Sequence, residues 1–407
     1  MSQGGRWTLA ALLGASSLTM MAGAVLSPAL PDIRQHFADT PSVELLSRLV
    51  LTLPALFIAL CASPAGWVAD RCGRRTLLLL ATGAFALAGA SGFVLDDLIA
   101  ILIGRALLGV AVAAVMTCST ALIADYFTGD ERARVMGWQG AATAFGGVFF
   151  FALGGVLADM GWRAPFLIYL AALVLVPLVH RLPEPGCRDD HGAARPGQAA
   201  WEWPSLTLLA TLYLVALDSM VAVNVIPVQL AFHLRELGVT GATRAGLAVA
   251  LYTLFGGFSS LGYRRIEAYL GHRLTLAATF VLSGLSLWIV SFADSYTSIM
   301  LAMVVVVVGL GLLLPNLNTC VMTVASGPTR GRIAGGLTAA AFLGQFLSPV
   351  ATQPIVASLG LSATFAFTGG VLLALATVAS ATRLLGCSGR GRDRRAGTLT
   401  TVRFHPR

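Results

Sequence analysis

The chain has 407 residues, of which 57% are hydrophobic and 11% are charged, and its mean hydropathy is +0.80. Soluble domains carry about 25% charged residues, so this composition excludes an ordinary soluble enzyme or binding module. The formal net charge is +8 and every basic residue is arginine. Most of these arginines lie in loops and in the tail rather than along one stripe, which argues against a nucleic-acid partner and favours a role in membrane orientation.

A membrane-crossing helix needs about 20 apolar residues. All such segments are expected to be helices, because an open strand cannot satisfy its backbone in lipid. The first apolar run is longer than the hydrophobic core of a signal peptide, so it is interpreted as an uncleaved span. The predicted spans are residues 7–30, 47–68, 76–95, 98–124, 135–157, 164–182, 204–230, 245–263, 274–292, 297–324, 333–357 and 361–384.

One long polar segment divides these spans six and six. We therefore predict an all-α membrane protein with a first six-helix bundle at 1–182, a central loop at 183–203 and a second bundle at 204–385. Residues 386–407 form a basic tail, expected either to lie on anionic headgroups or to act only in topology.

Counting arginines predicts the orientation. With the N-terminus inside, five loop arginines fall outside and the others are cytoplasmic. The asymmetry predicts that both termini and the central loop are cytoplasmic. We expect a multi-pass protein of the plasma membrane, in this case the bacterial inner membrane. The five predicted to lie outside are Arg34, Arg48, Arg163, Arg235 and Arg244.

The first span ends in Gly23-x-x-x-x-Pro28-x-x-Pro31, whose prolines are expected to loosen the helix. Between spans 2 and 3 comes Gly66-x-x-x-Asp70-Arg71-x-Gly73-Arg74-Arg75, whose charges require a turn at a membrane face. This ten-residue pattern resembles the loop between spans 2 and 3 of the major facilitator superfamily of secondary transporters. The span-1 prolines resemble the signature of its twelve-span drug:proton antiporters. An ordinary arginine-rich loop is the alternative interpretation.

The resemblance implies two pseudo-symmetric bundles and a gate at the loop. Gly66 lets another helix approach closely. Asp70 is expected to meet the N-terminus of span 11, near 333–336, because the helix dipole favours an anion there. The gating residues are predicted to be Gly66, Asp70, Arg71, Gly73, Arg74 and Arg75, with Asp125 at the end of span 4 as the partner of the arginines. The alternative is a solvated loop that only fixes topology.

Arg105 lies in the middle of span 4, where a charge is costly and usually functional. Its surroundings resemble the superfamily motif Arg-x-x-Gln-Gly-x-Gly, although Leu108 replaces the glutamine and Ala111 the last glycine. The resemblance associates Arg105 with proton transfer. The alternative is an arginine that snorkels to the membrane rim.

Span 5 contains Gly154 and Gly155, the terminal glycines of the antiporter motif. Phe150 and Phe151 stand where that motif has Gly-Pro, so the match to antiporters is partial.

Asp218 in span 7 is the single acidic residue deep within a predicted span. A carboxylate there can load and release protons, so Asp218 and Arg105 are predicted to carry proton coupling and to face one central cavity. A purely structural carboxylate is the alternative, with Asp32 and Glu44 at the rim as the next proton carriers. Polar side chains at membrane depth are substrate-cavity candidates, although such residues commonly bind helices together. These candidates are Gln139, Asn224, Asn316, Asn318 and Gln345.

No phosphate-binding loop, metal-ligand spacing or nucleophile–base pair is found, and the six cysteines form no disulfide framework. We therefore predict a non-enzymatic transporter without cofactor or metal, working as a monomer on a small molecule and protons. The favoured function is efflux of a small amphipathic drug or metabolite. The alternatives are a proton symporter that imports a nutrient, or a receptor on a transporter scaffold.

Overall fold

The computed structural model describes residues 3–183, 205–324 and 329–381. Across these ranges the chain is helical with short turns and contains no strand. The predicted tail, Cys187, Cys387 and the predicted central loop beyond Pro183 lie outside the described residues. We call 3–183 the first half and 205–381 the second half.

The first half is a run of apolar helices that match the first six predicted spans. Its first span is interrupted after α1 by a short 3-10 turn at Ser27–Ala29, because Pro28 cannot continue the backbone hydrogen bonding. Its sixth span is made of two short α-helices joined by a 3-10 segment at Ile168–Leu175. The helices are α1 (Gln3–Ala24), α2 (Leu30–His36), α3 (Val43–Cys72), α4 (Arg74–Ala90), α5 (Leu98–Tyr126), α6 (Gly129–Met160), α7 (Ala164–Leu167) and α8 (Val176–His180).

The second half contains two helices of about twice the membrane-spanning length, each broken at a glycine. Gly271 has φ 72° and Gly360 has φ 84°, conformations that are unfavourable for other residues, so each long helix consists of two segments that meet at a turn. The helices are α9 (Leu206–Glu236), α10 (Ala242–Ser291), α11 (Tyr296–Leu310), α12 (Leu313–Val324) and α13 (Arg330–Ala381).

Eight of the helical segments in the described residues are long and apolar enough to cross a membrane. The turns at Gly271 and Gly360 divide two of them, and two shorter apolar helices lie at Ala164–His180 and Tyr296–Val305. The order of segments therefore follows the order of the predicted spans.

The helices run between two ends of the molecule. The motif end contains the turns at Gly73 and Gly271 and the start of α13. The far end contains the loops at 37–42, 161–163 and 237–241. Buried apolar clusters fill each half, and one cluster at the far end includes residues of both, such as Leu30 and Val228.

Glycines bring the halves together at the far end. A Cβ atom on Gly155 of α6 would lie 2.8 Å from the carbonyl oxygen of Ala242 and 3.2 Å from Cα of Gly246 in α10. Gly154, its neighbour, faces the backbone of Val25, in the turn that follows α1, instead. The two terminal glycines of span 5 therefore let α6 contact helices on two sides.

Candidate functional site

The motif-end loop is a compact set of charges between α3, α4 and α5. Gly73 joins α3 to α4 with φ 89° and ψ 131°. Arg74 donates to both carboxylate oxygens of Asp125, at 2.6 and 2.7 Å, and to Asp70 at 3.0 Å. Arg71 stacks on Trp67, with Cζ 3.8 Å from the ring centroid, and Arg75 donates to the carbonyl of His180. These contacts connect parts of the first half.

The arrangement of Asp70 and Gly66 differs from the expected contact with span 11. In the described part of the chain, the Asp70 carboxylate contacts Arg74 and 65% of its side chain is exposed. Gly66 faces Thr117 of α5, and an added Cβ would lie 3.6 Å from its methyl group, an ordinary contact. The expected cap on the N-terminus of α13 is therefore not formed in this conformation, because the halves are apart at the motif end.

Arg105 is enclosed within the first half. Its side chain is 1% exposed. Nε donates to the carbonyl of Val50 at 2.9 Å, Nη1 donates to the Tyr169 hydroxyl at 3.0 Å, and Nη2 donates to the carbonyl of Ala22. The hydroxyl of Tyr169 in turn donates to the same Ala22 carbonyl at 3.0 Å. One guanidinium therefore joins α1, α3, α5 and the 3-10 segment.

Two of the three acceptors of Arg105 are carbonyls that the helices leave free. Pro54 has no N–H, so the Val50 carbonyl lacks its partner one turn along α3. Ala22 lies in the last turn of α1, where carbonyls have no partner within the helix. The expectation that Arg105 faces a central cavity is wrong for this structure. These acceptors hold it inside the first-half core.

Asp218 lies in the N-terminal part of α9. Its side chain is exposed. Asp218 and Gln229 are eleven residues apart in α9, which places them within about 20° on one helix face and about 16 Å apart along the axis. Gln229 contacts Arg48 of the first half. On ideal helix geometry Asp218 is thus on the same side of α9 as that contact, three turns nearer the motif end.

Arg48 is a buried base that sequence reasoning missed, since it was assigned to an outer loop. Its side chain is as buried as that of Arg105, with 1% exposed. Nε donates to Gln229 Oε1 at 2.8 Å, and Nη1 contacts Glu44 Oε2 at 3.0 Å. Position in the sequence indicated the rim, and only the packing of α9 over Arg48 buries it.

Three further contacts close the far end between the halves. Ser27 donates to the carbonyl of Pro227, and Arg235 pairs with Asp32. Asp159 at the end of α6 accepts hydrogen bonds from the backbone N–H groups of Ala242 and Thr243, at 2.6 and 3.1 Å, at the start of α10.

Two clefts lie between helices of the two halves nearer the motif end. One, of about 190 Å³, lies between α6 and α10, where Gly140 and Ala144 face Gly257 and Ser260. The other, also about 190 Å³, lies between α3 and α13, where Ala62 faces Thr338. The helices α6 and α10, which touch at the far end, are therefore farther apart toward the motif end, where an added Cβ on Gly137 or Gly140 would have no atom within 4 Å.

The five cavity candidates have different surroundings. Gln139 donates to Ser16 and Thr120 in the first half, at 3.0 and 3.2 Å, and Asn316 donates to the carbonyl of His272 at 2.9 Å in the second half. Asn224 bonds to a carbonyl of its own helix, and Asn318 is exposed. Gln345 faces Gly23 across the two halves, with Nε2 4.0 Å from the position of an added Cβ.

Among the described residues, no group of three or more His, Cys, Asp or Glu side chains is placed to hold a metal ion.

Several curated relatives are resistance proteins. The Multidrug resistance protein MdtG of Enterobacter lignolyticus is 26% identical over 368 residues, which cover 88% of this chain and 87% of that protein. The Puromycin resistance protein pur8 of Streptomyces alboniger is 30% identical over 198 residues, 47% of this chain and 37% of that protein. The class C Tetracycline resistance protein of Escherichia coli is 31% identical over 167 residues, 41% of each chain.

Solved transporters share the fold. The inward-facing, unoccupied bacterial homologue of the human lysosomal transporter Spinster superposes with a TM-score of 0.73 at 17% identity, covering 95% of this chain and 98% of that one. The inward open xylose transporter XylE of E. coli superposes with a TM-score of 0.75 at 14% identity, covering 91% and 94%. The family model described as the Major Facilitator Superfamily matches residues 12–202 and 207–398, nearly the whole length. The chain therefore belongs to the major facilitator superfamily of membrane transporters.

Proposed function

We propose that this protein exports a small amphipathic compound in exchange for protons by alternating access. The proposal rests on a difference between the two ends of the molecule. Polar and glycine contacts join the halves at the far end, whereas clefts lie between helices of the two halves nearer the motif end. A transporter that rocks two halves about a central site passes through such a state.

The motif end is proposed to face the cytoplasm. Arginine counting places the loops of this end inside. The similar solved structures whose descriptions state inward-facing or inward open conformations support this assignment. The described conformation is then the one that takes up a compound from the cytoplasm. The Arg74–Asp125–Asp70 cluster would be held ready for contact with the second half when the motif end closes.

The direction of transport and the substrate class rest on the relatives. Those described above act in resistance to puromycin, tetracycline or several drugs. The apolar lining of the α6–α10 cleft, with Phe145 and Phe258 beside small residues, suits an amphipathic molecule better than a sugar. Gln345, which reaches toward α1, is the polar group we assign to substrate contact.

Proton coupling is assigned to Asp218. Its side chain is exposed, on the side of α9 that contacts the first half, and would be reached by water when either end opens. Arg105 then serves as a positioning residue of the first half, since its donors are directed to the carbonyls of α1 and α3 and to Tyr169.

Import by proton symport is the second candidate, favoured by the absence of Gly-Pro in span 5 and by fold similarity to a D-xylose-proton symporter, with a TM-score of 0.73. Everted membrane vesicles separate the two directions. Efflux predicts that an acid-inside gradient drives accumulation of radiolabelled tetracycline or puromycin. Uphill uptake into right-side-out vesicles under an acid-outside gradient would instead establish import.

A further inference from the structure

We infer that Arg48 is a positioning residue of the transport cycle. Its hydrogen bond to Gln229 holds the two halves together at the far end, while its charge remains paired with Glu44 of its own helix. The inference rests on the proposed alternating-access function and adds the residue that controls one of its two states.

The contact of Arg48 extends across both halves. Arg48 belongs to α3, and its Nε donates to Gln229 Oε1 of α9 at 2.8 Å. The other end of that amide, Nε2, donates to the hydroxyl of Thr352 in α13 at 3.3 Å. The guanidinium also lies over Phe232 of α9, with Cζ 4.3 Å from the ring centroid. One side chain of the first half thus engages α9 directly and α13 through Gln229.

The charge of Arg48 is compensated from the same helix. Glu44, one turn earlier in α3, accepts from Nη1 through its carboxylate at 3.0 Å and through its backbone carbonyl. When the halves separate, Arg48 keeps Glu44 and loses Gln229 and Phe232. Opening therefore leaves no isolated charge, and water that enters can replace the lost hydrogen bonds. This makes the contact reversible, as a gate requires.

Burial distinguishes this contact from the other charged contact at the far end, the Arg235–Asp32 pair. The side chains of Arg235 and Asp32 are 46% and 32% exposed, and exposed pairs contribute little because solvent screens them. Arg48 and Gln229 are 1% and 0% exposed. Removing one member of a buried polar pair leaves the other without a partner, which costs far more than losing an exposed pair. The Arg48–Gln229 contact is therefore expected to contribute more to the closure than the Arg235–Asp32 pair.

A buried thiol can report opening of the far end. Leu30 is 0% exposed and belongs to the far-end cluster that contains residues of both halves. In a background without the six native cysteines, the variant Leu30→Cys is reconstituted in lipid nanodiscs without substrate. The rate of its labelling by a polar maleimide then measures the fraction of molecules open at the far end. Nanodiscs expose both faces, so the result does not depend on orientation.

Arg48→Met and Gln229→Met are each expected to raise the labelling rate about tenfold, since a buried hydrogen bond to a charged group is lost. Gln229→Glu replaces the amide with a carboxylate opposite Arg48 and is expected to slow labelling below the rate of the parent. Arg163→Met is the matched control. Arg163 lies at the same end but pairs with Asp96 inside the first half, so its loss should leave the rate unchanged.

Labelling of both methionine variants at the parent rate would overturn the inference, and so would an equal rise in Arg163→Met. If Arg48→Met fails to insert, the opposite effects expected of Gln229→Met and Gln229→Glu decide it. Since no substrate is present, a protein that imports, or that carries a compound other than a drug, gives the same labelling pattern. Failure of the proposed function is thus distinguished from failure of this inference.

Discussion

Arg48 and Arg105 are equally buried, yet their acceptors lie in different parts of the molecule. Arg105 donates to acceptors of the first half alone, two of them carbonyls left free by Pro54 and by the end of α1. Arg48 donates across the halves to Gln229. Substitution of Arg105 should therefore affect stability, whereas substitution of Arg48 should affect which end is open.

A double-mutant cycle can test whether the contribution of Arg105 to stability depends on Pro54. Arg105→Met should lower the stability of the protein by about 3 kcal/mol, because buried carbonyls lose their donor. Pro54→Ala supplies an N–H to the Val50 carbonyl. In the double variant the further loss from Arg105→Met should therefore be smaller by about 1 kcal/mol.

Thermal unfolding in detergent, followed by size-exclusion chromatography, measures all four proteins of the cycle. Strict additivity of the two substitutions would show that the Val50 carbonyl is not the group that connects them. Tyr169→Phe is a useful comparison, since it removes one hydroxyl and leaves the guanidinium in place.

Asp218 is expected to be needed for coupling rather than for folding. Asp218→Asn should abolish pH-driven accumulation of substrate and retain substrate counterflow, because the amide does not titrate. Asp218→Glu should keep part of the coupling. The measurement is accumulation against a gradient in everted vesicles with and without an imposed pH difference. If the asparagine variant still accumulates substrate, the proton is carried elsewhere, with Asp32 and Glu44 the next candidates.

At the scale of elements, glycines decide where one helix ends and the next begins. Gly73 at the turn between α3 and α4 and Gly271 within α10 both have positive φ, and each is followed by an arginine-containing segment. The two turns stand at corresponding places in the two halves, as an internal repeat would leave them.

Gly73→Ala tests this role of the turn. A side chain at φ 89° is strained, so the substitution should lower stability by about 1–2 kcal/mol and displace Arg74 from Asp125. Gly83 in α4 is the matched control. It is helical with no atom within 4 Å of an added Cβ, so Gly83→Ala should be neutral or stabilise by up to about 1 kcal/mol. Equal thermal midpoints for the two variants would contradict the assignment.

Apolar length predicted the positions of the spans well, and it failed in detail where the helices are irregular. Span 1 continues past Pro28 as a 3-10 turn and α2, and span 6 contains a 3-10 segment of eight residues. An apolar segment can lie in lipid whether its backbone is an α-helix or a 3-10 helix, so apolar composition does not distinguish the two. The exact hydrogen-bonding pattern depends on neighbours, such as Tyr169 and its contact with α1.

At the scale of the whole molecule, two halves meet at one end and part at the other. The arrangement requires the α2–α3 and α9–α10 loops to emerge together on one side of the membrane, opposite Gly73 and Gly271. Arginine counting predicts that this side is the outside.

Thiol labelling of intact cells tests the orientation. In a background without native cysteines, Ala38→Cys and Thr240→Cys, both at exposed far-end positions, should react with an impermeant reagent added outside. Ser388→Cys in the tail should react only after the membrane is permeabilised. Labelling of Ser388→Cys in intact cells, with protection of Ala38→Cys, would reverse the orientation.

The sequence by itself determined the membrane location, the order of the helices and the charged turn at 66–75. These depend on apolar length, on charge and on the backbone demands of lipid, which act locally along the chain. Only the tertiary structure decided which polar groups at membrane depth meet. The Arg105 network, the burial of Arg48 by α9 and the exposure of Asp218 depend on contacts between residues far apart in sequence. The sequence around a charged residue is the same whether a distant helix buries that residue or water reaches it.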